Sequence, residues 1–314
     1  MLKKGTMDEA TYPSSSVGVR RLEDWSLVRV GGDDAREWLN GQISNGIGEP
    51  APGSCVRALV ISSQGRVETE LWVHDRGEDL VLALPKSSEA ALLARFDRYI
   101  VMEDVDLESQ NAEIISLQGP RAKEVVDLLD GHDEAWPCPR LHSAGFDWVV
   151  SKSEAAESLR RAVEAAASIG GGELTEADWE LCRLRQGIPR FGKDFGLDTY
   201  PREVGLVESA VAFDKGCYVG QEAVVMLQHR GKPPRLLAHL RLEGGEIPGV
   251  GDTMLRDGRD AGTLTSVVAD PRGGGWALGL MRRKLAEKGA ELTLGEVNAT
   301  VVSVVESEVR ENQS

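Results

Sequence analysis

The sequence predicts an α+β fold, and three observations carry that prediction. Before Pro233, helical and strand-like periodicities alternate without the strict βαβ rhythm of a doubly wound sheet. Beyond Pro233-Pro234 the pattern changes to short strand-like runs with turns at Gly244-Gly245, Asp257-Gly258 and Gly273-Gly274-Gly275. A chain of 314 residues, 41% of them apolar, buries a full core and exceeds the usual single domain, so two or three lobes are expected.

Each element has its own warrant. From Trp25 to Leu84 the pattern reads strand, helix, then strand hairpin. Asp34 is placed to cap the first helix with Glu37 as its reciprocal partner, Ala35, Trp38 and Leu39 share one face, and Gly41 is expected to end it. Ser62-Ser63-Gln64-Gly65 joins two runs rich in β-branched residues, as a hairpin requires. Ser88 to Ile100 reads as a second amphipathic helix through Leu92, Leu93 and Phe96, with strands near Val105 and over Ala112 to Leu117. Pro120 suits the first position of a third helix running to about Leu129, and Asp130 to Pro139 reads as a loop. The Ala- and Glu-rich stretch Ala155 to Ala167 is helical until Gly170-Gly171-Gly172 breaks it, where a flexible joint is expected. Thr175 with Asp178 starts a further helix carrying Ala177, Leu181 and Leu184, and Gly187-Ile188-Pro189 stops it. The expected organisation is a tail over 1–18, an α+β region of two lobes over 19–232 with its joint near 130–175, and a small β-barrel over 235–309.

A net charge of −15 argues against direct nucleic-acid binding, because affinity for phosphate backbones comes from Lys and Arg releasing counterions. No apolar run has the length of a secretory signal or a membrane span, so a cytoplasmic protein without a membrane partner is expected. Cys55, Cys138, Cys182 and Cys217 are scattered, with no C-x-x-C pair and no Cys/His spacing of a zinc finger. Neither a disulfide framework nor a metal site is expected, and a lone cysteine in a reducing compartment is by default a small buried hydrophobe. The five histidines, His74, His132, His142, His229 and His239, are isolated in sequence, so only folding brings them to a partner. Val30-Gly31-Gly32-Asp33 lacks the context of a dinucleotide loop, and neither a P-loop nor a G-x-S-x-G elbow is present.

One segment departs from plain core. Lys215-Gly216-Cys217-Tyr218-Val219-Gly220-Gln221-Glu222 packs two glycines, a thiol, a cation and a carboxylate into eight positions. Glycines permit a turn that presents a side chain or admits a ligand to the main chain. Lys215, two residues from Cys217, favours a thiolate there if both side chains face the same way. The same features also fit a tight turn with an incidental buried thiol.

The octapeptide resembles the K-G-C-[FY]-x-G-Q-E signature of the YgfZ family, a branch of the fold used by the T-protein, the aminomethyltransferase of the glycine cleavage system. Further segments share the resemblance: Asp33 to Asn45 with its Gln42-Ile43-Ser44-Asn45 end, Leu59 to Val73, Leu117-Gln118-Gly119-Pro120, Arg183 to Pro189, Pro201 to Leu206, and Leu264-Thr265-Ser266. The resemblance implies a T-protein-like, three-lobed ring of two α+β lobes and a C-terminal β-barrel, a tetrahydrofolate site, and a working thiol at Cys217 assisted by Lys215. It implies a role in maturing or repairing iron–sulfur enzymes, including those that modify tRNA, with folate and iron–sulfur client or assembly proteins as partners. Any cluster would be held only transiently. Two departures stand out. The pterin-recognising Glu of the T-proteins is replaced by Arg185, a donor only; the candidate folate contacts that the resemblance implies are then Arg185, Glu203 as substitute acceptor, and Arg230. Gly46 takes the place of the family's common Asp.

Three functions follow from this reading: a folate-binding accessory protein acting through Cys217, a tetrahydrofolate-dependent aminomethyltransferase or related one-carbon transferase, and a thiol-redox enzyme without folate. The octapeptide favours the first and the missing Glu counts against the second.

Overall fold

The computed structural model describes residues 16–129, 134–141, 144–229, 232–244 and 246–305. Two compact units divide the chain: Met1–Gln42, Ile47–Arg57 and Glu70–Gln186 form the first, and Ile43–Gly46, Ala58–Thr69 and Gly187–Ser314 the second.

Strands β1 (Gly18–Arg21) and β2 (Trp25–Gly31) lead to α1 (Ala35–Gln42), then to the hairpin β3 (Cys55–Ile61) and β4 (Val67–Asp75) and to β5 (Leu80–Pro85). There follow α2 (Glu89–Asp97), β6 (Asp106–Ser109), β7 (Ala112–Gln118), α3 (Ala122–Leu128), β8 (Ala135–Pro137), β9 (Gly145–Ser151), α4 (Ala155–Ser168), β10 (Gly172–Glu173) and α5 (Glu176–Arg185). One five-stranded sheet has the order β10-β1-β7-β9-β8 and another the order β3-β4-β5-β2-β6. In the first sheet only β1 and β10 pair in parallel among the described ladders, so the fold is α+β as the sequence predicts. Val17, Val19, Ile115 and Leu117 pack there against Val125 and Val126 of α3 and the alanines 155, 162 and 166 of α4. Alanine at these spacings lets a helix lie close to a sheet, while apolar burial at roughly 25 cal/mol per Å² supplies the drive.

Several boundaries differ from the sequence reading. The carboxylate of Asp34 accepts from the Asp104 N–H at 2.8 Å, a tertiary bond in place of the expected cap of α1, and α1 continues through Gly41. Helix α2 begins after a 3₁₀ turn over 86–88 and ends at Asp97. Pro120 precedes α3, whose N-cap is Arg121. Gly171 donates to Ala166 at 2.7 Å and Gly172 to Val17 at 3.2 Å, so the glycine run closes α4 and passes straight into β10. Thr175 and Asp178 form the expected capping box of α5.

In the second unit, short helices α6 (Val207–Ala210) and α7 (Gln221–His229) precede strands β11 (Arg235–Glu243), β12 (Thr253–Arg256), β13 (Arg259–Ala269), β14 (Gly275–Arg282), β15 (Glu291–Leu294) and β16 (Val297–Val304). These close into a barrel of order β11-β14-β13-β12-β15-β16, which leaves no free edge. Leu240, Leu242, Met254, Leu264, Met281, Leu292 and Val301 fill its core. Register shifts at His239/Leu240, Met254/Leu255 and Leu264/Ser266 bend the strands enough to close it. Among the described residues, no helix is long and apolar enough to cross a membrane.

Gly262 has φ +144°, and a Cβ there would lie 2.1 Å from the Leu280 carbonyl oxygen of the neighbouring strand. Gly262→Ala is expected to cost at least about 2 kcal/mol, read as a lowered urea midpoint at unchanged m-value. A midpoint equal to wild type would show that β13 and β14 do not approach so closely.

Candidate functional site

The octapeptide lies in the second unit and is braced by the segment that follows α1. Ser44 is fully buried; its hydroxyl donates to the Ala210 carbonyl at 2.5 Å and accepts from the Leu59 N–H at 2.8 Å. The Ala212 N–H donates to the Ser44 carbonyl at 2.9 Å, which binds the approach to the octapeptide to the same point. Lys215 then turns onto this segment, its ammonium donating to the carbonyls of Ile43 at 2.8 Å and Asn45 at 2.9 Å. Burial pushes its pKa down to about 8, while two carbonyl acceptors favour the charged form. The ammonium also stands 5.2 Å from the centre of the Tyr218 ring. Lys215 therefore anchors the loop.

Two residues on, Cys217 is exposed. Tyr218 turns inward, its hydroxyl buried with no hydrogen-bond partner among the described residues and its pKa pushed up to about 12 by burial. Gly216 faces open space, whereas Gly220 has φ +86° and passes over the hairpin turn, where a Cβ would sit 2.4 Å from the Ser62 carbonyl oxygen. Only glycine fits there without movement. Gln221 opens α7, and Glu222 is exposed in its first turn, a favourable place for an acidic side chain.

The remaining sequence candidates are placed separately. Arg185 is half-buried at the end of α5 in the first unit. Glu203 is buried in the second, in a 3₁₀ turn over 201–204; one oxygen accepts from the Tyr200 N–H at 3.0 Å and the other from Arg235 Nε at 3.3 Å. Arg230, His132 and His142 lie outside the described residues. The ring of His239 stacks on Trp276 at 5.0 Å, a packing role.

Folding also assembles what sequence spacing does not suggest. Cys55 at the start of β3, His74 near the end of β4 and Cys138 just after β8 bring their ligand atoms within 4.8 Å of one another. This corrects the expectation of separate, packing-only cysteines with no metal-ligating cluster. Cys138 Sγ lies 3.4 Å from His74 Nε2, and both residues are fully buried. Burial opposes a thiolate at Cys55, but the Cys138 thiol and the charge and hydrogen bond of His74 outweigh it and bring its pKa down to about 6; burial pushes Cys138 up. The His74 ring stacks on Trp136 at 4.9 Å. The Cys138 carbonyl accepts from Gln118 Nε2 at 2.9 Å, and the same nitrogen bonds Ser116, whose hydroxyl donates to Asp147. Asp147 forms a buried ion pair with Arg140, Nε to Oδ2 2.8 Å, beneath the ring of Trp25 at 4.0 Å. All these groups belong to the first unit.

Comparison with known proteins gives the class first. The GCVT N-terminal domain family matches residues 2–137. The structure superposes on glycine cleavage system aminomethyltransferase T from Bartonella henselae with a TM-score of 0.83, covering 95% of this chain and 88% of that one at 18% identity. The fold is therefore that of the aminomethyltransferase T proteins. In sequence, the chain is 24% identical over 254 residues to tRNA-modifying protein YgfZ of Photobacterium profundum, covering 77% of each. It is 27% identical over 242 residues to the mitochondrial iron–sulfur cluster assembly factor IBA57 homolog of Neurospora crassa, covering 71% of this chain and 53% of that protein. The chain is thus similar in sequence to YgfZ proteins and, over residues 2–137, to the GCVT N-terminal domain family.

Two predictions arise from this geometry. In the native protein at neutral pH, iodoacetamide is expected to label Cys217 about tenfold or more faster than Cys138 and Cys182, since burial pushes the Cys182 thiol up to about 11. Peptide mass spectrometry reads the order, and equal rates would remove the case for a presented thiol. Asp147→Ala leaves the Arg140 charge buried and is expected to cost about 3–5 kcal/mol in urea unfolding.

Proposed function

We propose that this chain is an accessory protein for the maturation or repair of iron–sulfur enzymes, acting through the thiol of Cys217. The observation that carries this reading is the exposed thiol itself, held between the Lys215 anchor and the glycine passage at Gly220. The names of the relatives, a tRNA-modifying protein and an iron–sulfur cluster assembly factor, support it. A solvent-facing cysteine at a chain turn offers a soft ligand that can take an iron or sulfur species from one protein and release it to another. The proposed partners are iron–sulfur client or assembly proteins. With a net charge of −15, no direct contact with tRNA is proposed.

A reduced folate is proposed as a ligand on the strength of the fold. The named residues do not fit T-protein-like recognition of the pterin, which needs an acceptor for its N–H groups. Arg185 offers donors only, and both oxygens of Glu203 already accept bonds within the protein. No chemical step is therefore assigned to the folate. The aminomethyltransferase reading rests on the fold likeness alone, and Gly46, where a Cβ would meet open space, supplies no acid or base.

The test is complementation. In cells lacking this protein, iron–sulfur enzyme activities are expected to fall and to return with wild type but not with Cys217→Ala. Full rescue by Cys217→Ala would remove the thiol from the function, and unchanged activities on deletion would remove the accessory role. Saturable binding of tetrahydrofolate to the purified chain tests the ligand separately, and turnover of an aminomethyl donor with tetrahydrofolate would establish the transferase alternative.

A further inference from the structure

Cys55, His74 and Cys138 have no part in the proposed work of Cys217, and they lie in the other unit. Two sulfurs and one imidazole nitrogen converge within 4.8 Å, from three strands or strand ends that the sequence places far apart. Among the described residues no carboxylate belongs to the group, and two sulfurs with an imidazole favour a soft or borderline cation over Mg²⁺ or Ca²⁺. We propose that these three residues form a binding site for a single thiophilic divalent cation, with Zn²⁺ as the fitting ion.

The geometry is close to what such an ion requires. With Zn–S about 2.3 Å and Zn–N about 2.0–2.1 Å, a tetrahedral site has S···N edges of roughly 3.6 Å and an S···S edge of roughly 3.8 Å. Cys138 Sγ and His74 Nε2 stand 3.4 Å apart and the whole set spans no more than 4.8 Å, so small side-chain rotations suffice. Without metal, the same approach serves as a thiol–imidazole hydrogen bond.

Charge selects the valence. Two thiolates and a neutral imidazole carry −2 in a buried setting, which a divalent ion cancels and a monovalent copper ion does not. The neighbouring Arg140–Asp147 pair is itself neutral and adds no net charge. Binding releases the protons still held by the two sulfurs and the imidazole, and water or an exogenous thiolate takes the fourth position.

Part of the supporting shell is already built around Cys138, while His74 Nδ1 has no hydrogen-bond partner among the described residues. Gln118 holds the Cys138 carbonyl and also accepts from the Leu141 N–H at 3.2 Å, so the loop is fixed on both sides of the ligand. A Cβ at Gly145 would lie 2.3 Å from Gln118 Oε1, so glycine there keeps the amide in place. Stacking on Trp136 fixes the His74 ring. A merely apolar packing of two thiols needs none of these constraints.

The experiment uses the full-length chain, reduced, stripped with a chelator and dialysed against Zn²⁺. One equivalent of zinc is expected to be retained by wild type and by Cys217→Ala. Cys55→Ser and His74→Gln are expected to bind at least about 100-fold more weakly, with folding checked by circular dichroism. Co²⁺ substitution should give thiolate-to-cobalt charge-transfer bands. A measurement on wild type alone guards against misfolded variants: Zn²⁺ is expected to protect Cys55 and Cys138, but not Cys217, from alkylation. Absence of retained zinc overturns the proposal, as does retention unaffected by Cys55→Ser, loss through Cys217→Ala, or a Cys55–Cys138 disulfide as the stable form under these conditions.

Discussion

Segment 43–46 belongs to no strand, so its carbonyls must find donors elsewhere, and the ammonium of Lys215 meets two of them. Charge-assisted bonds of this kind contribute about 1.5–3 kcal/mol each, more than a neutral bond at the same length. Their effect is larger than their energy. They fix the start of the octapeptide against a segment that Ser44 has already tied to Leu59 and Ala210. With that end held and Gly220 lodged over the Ser62 carbonyl, the residues between have little freedom. Tyr218 turns in and Cys217 is left out in solvent. A presented thiol is thus the outcome of two backbone constraints, neither of which involves the sulfur.

The first unit solves a different problem with similar means. Its polar network of Arg140, Asp147, Ser116 and Gln118 is buried, and a buried pair of charges gains little net stability once desolvation is counted. What it does is specify position. Gln118, bonded to Ser116 and through it to Asp147, holds the Cys138 carbonyl so that Cys138 meets His74 and Cys55 in one place. The two cysteine sites differ in physical character accordingly: one thiol exposed on a short loop, two thiols gathered with an imidazole at strands and strand ends.

Legibility in the sequence varied by the range of the interaction that decided each feature. The Thr175–Asp178 capping box, the hairpin turn at 62–65 and the Ala- and Glu-rich helix α4 are local patterns, and the structure bears them out. Asp34 shows the limit: its spacing to Glu37 fits a capping box, yet a backbone N–H from Asp104, 70 residues away, takes its carboxylate. The octapeptide was visible because its glycines, thiol and cation are contiguous. The partner of Lys215 was not, since the ammonium bonds carbonyls, which every residue carries.

The sequence by itself determined the α+β class, the C-terminal barrel and the resemblance to YgfZ proteins, because each is written in periodicity, turn residues or a contiguous motif. Tertiary structure alone decided that Lys215 anchors a loop, that Glu203 is engaged by Tyr200 and Arg235, and that Cys55, His74 and Cys138 converge. The physical reason is that a side chain's chemistry follows from what folding sets within a few ångströms of it, and for these residues the decisive neighbours lie far away along the chain.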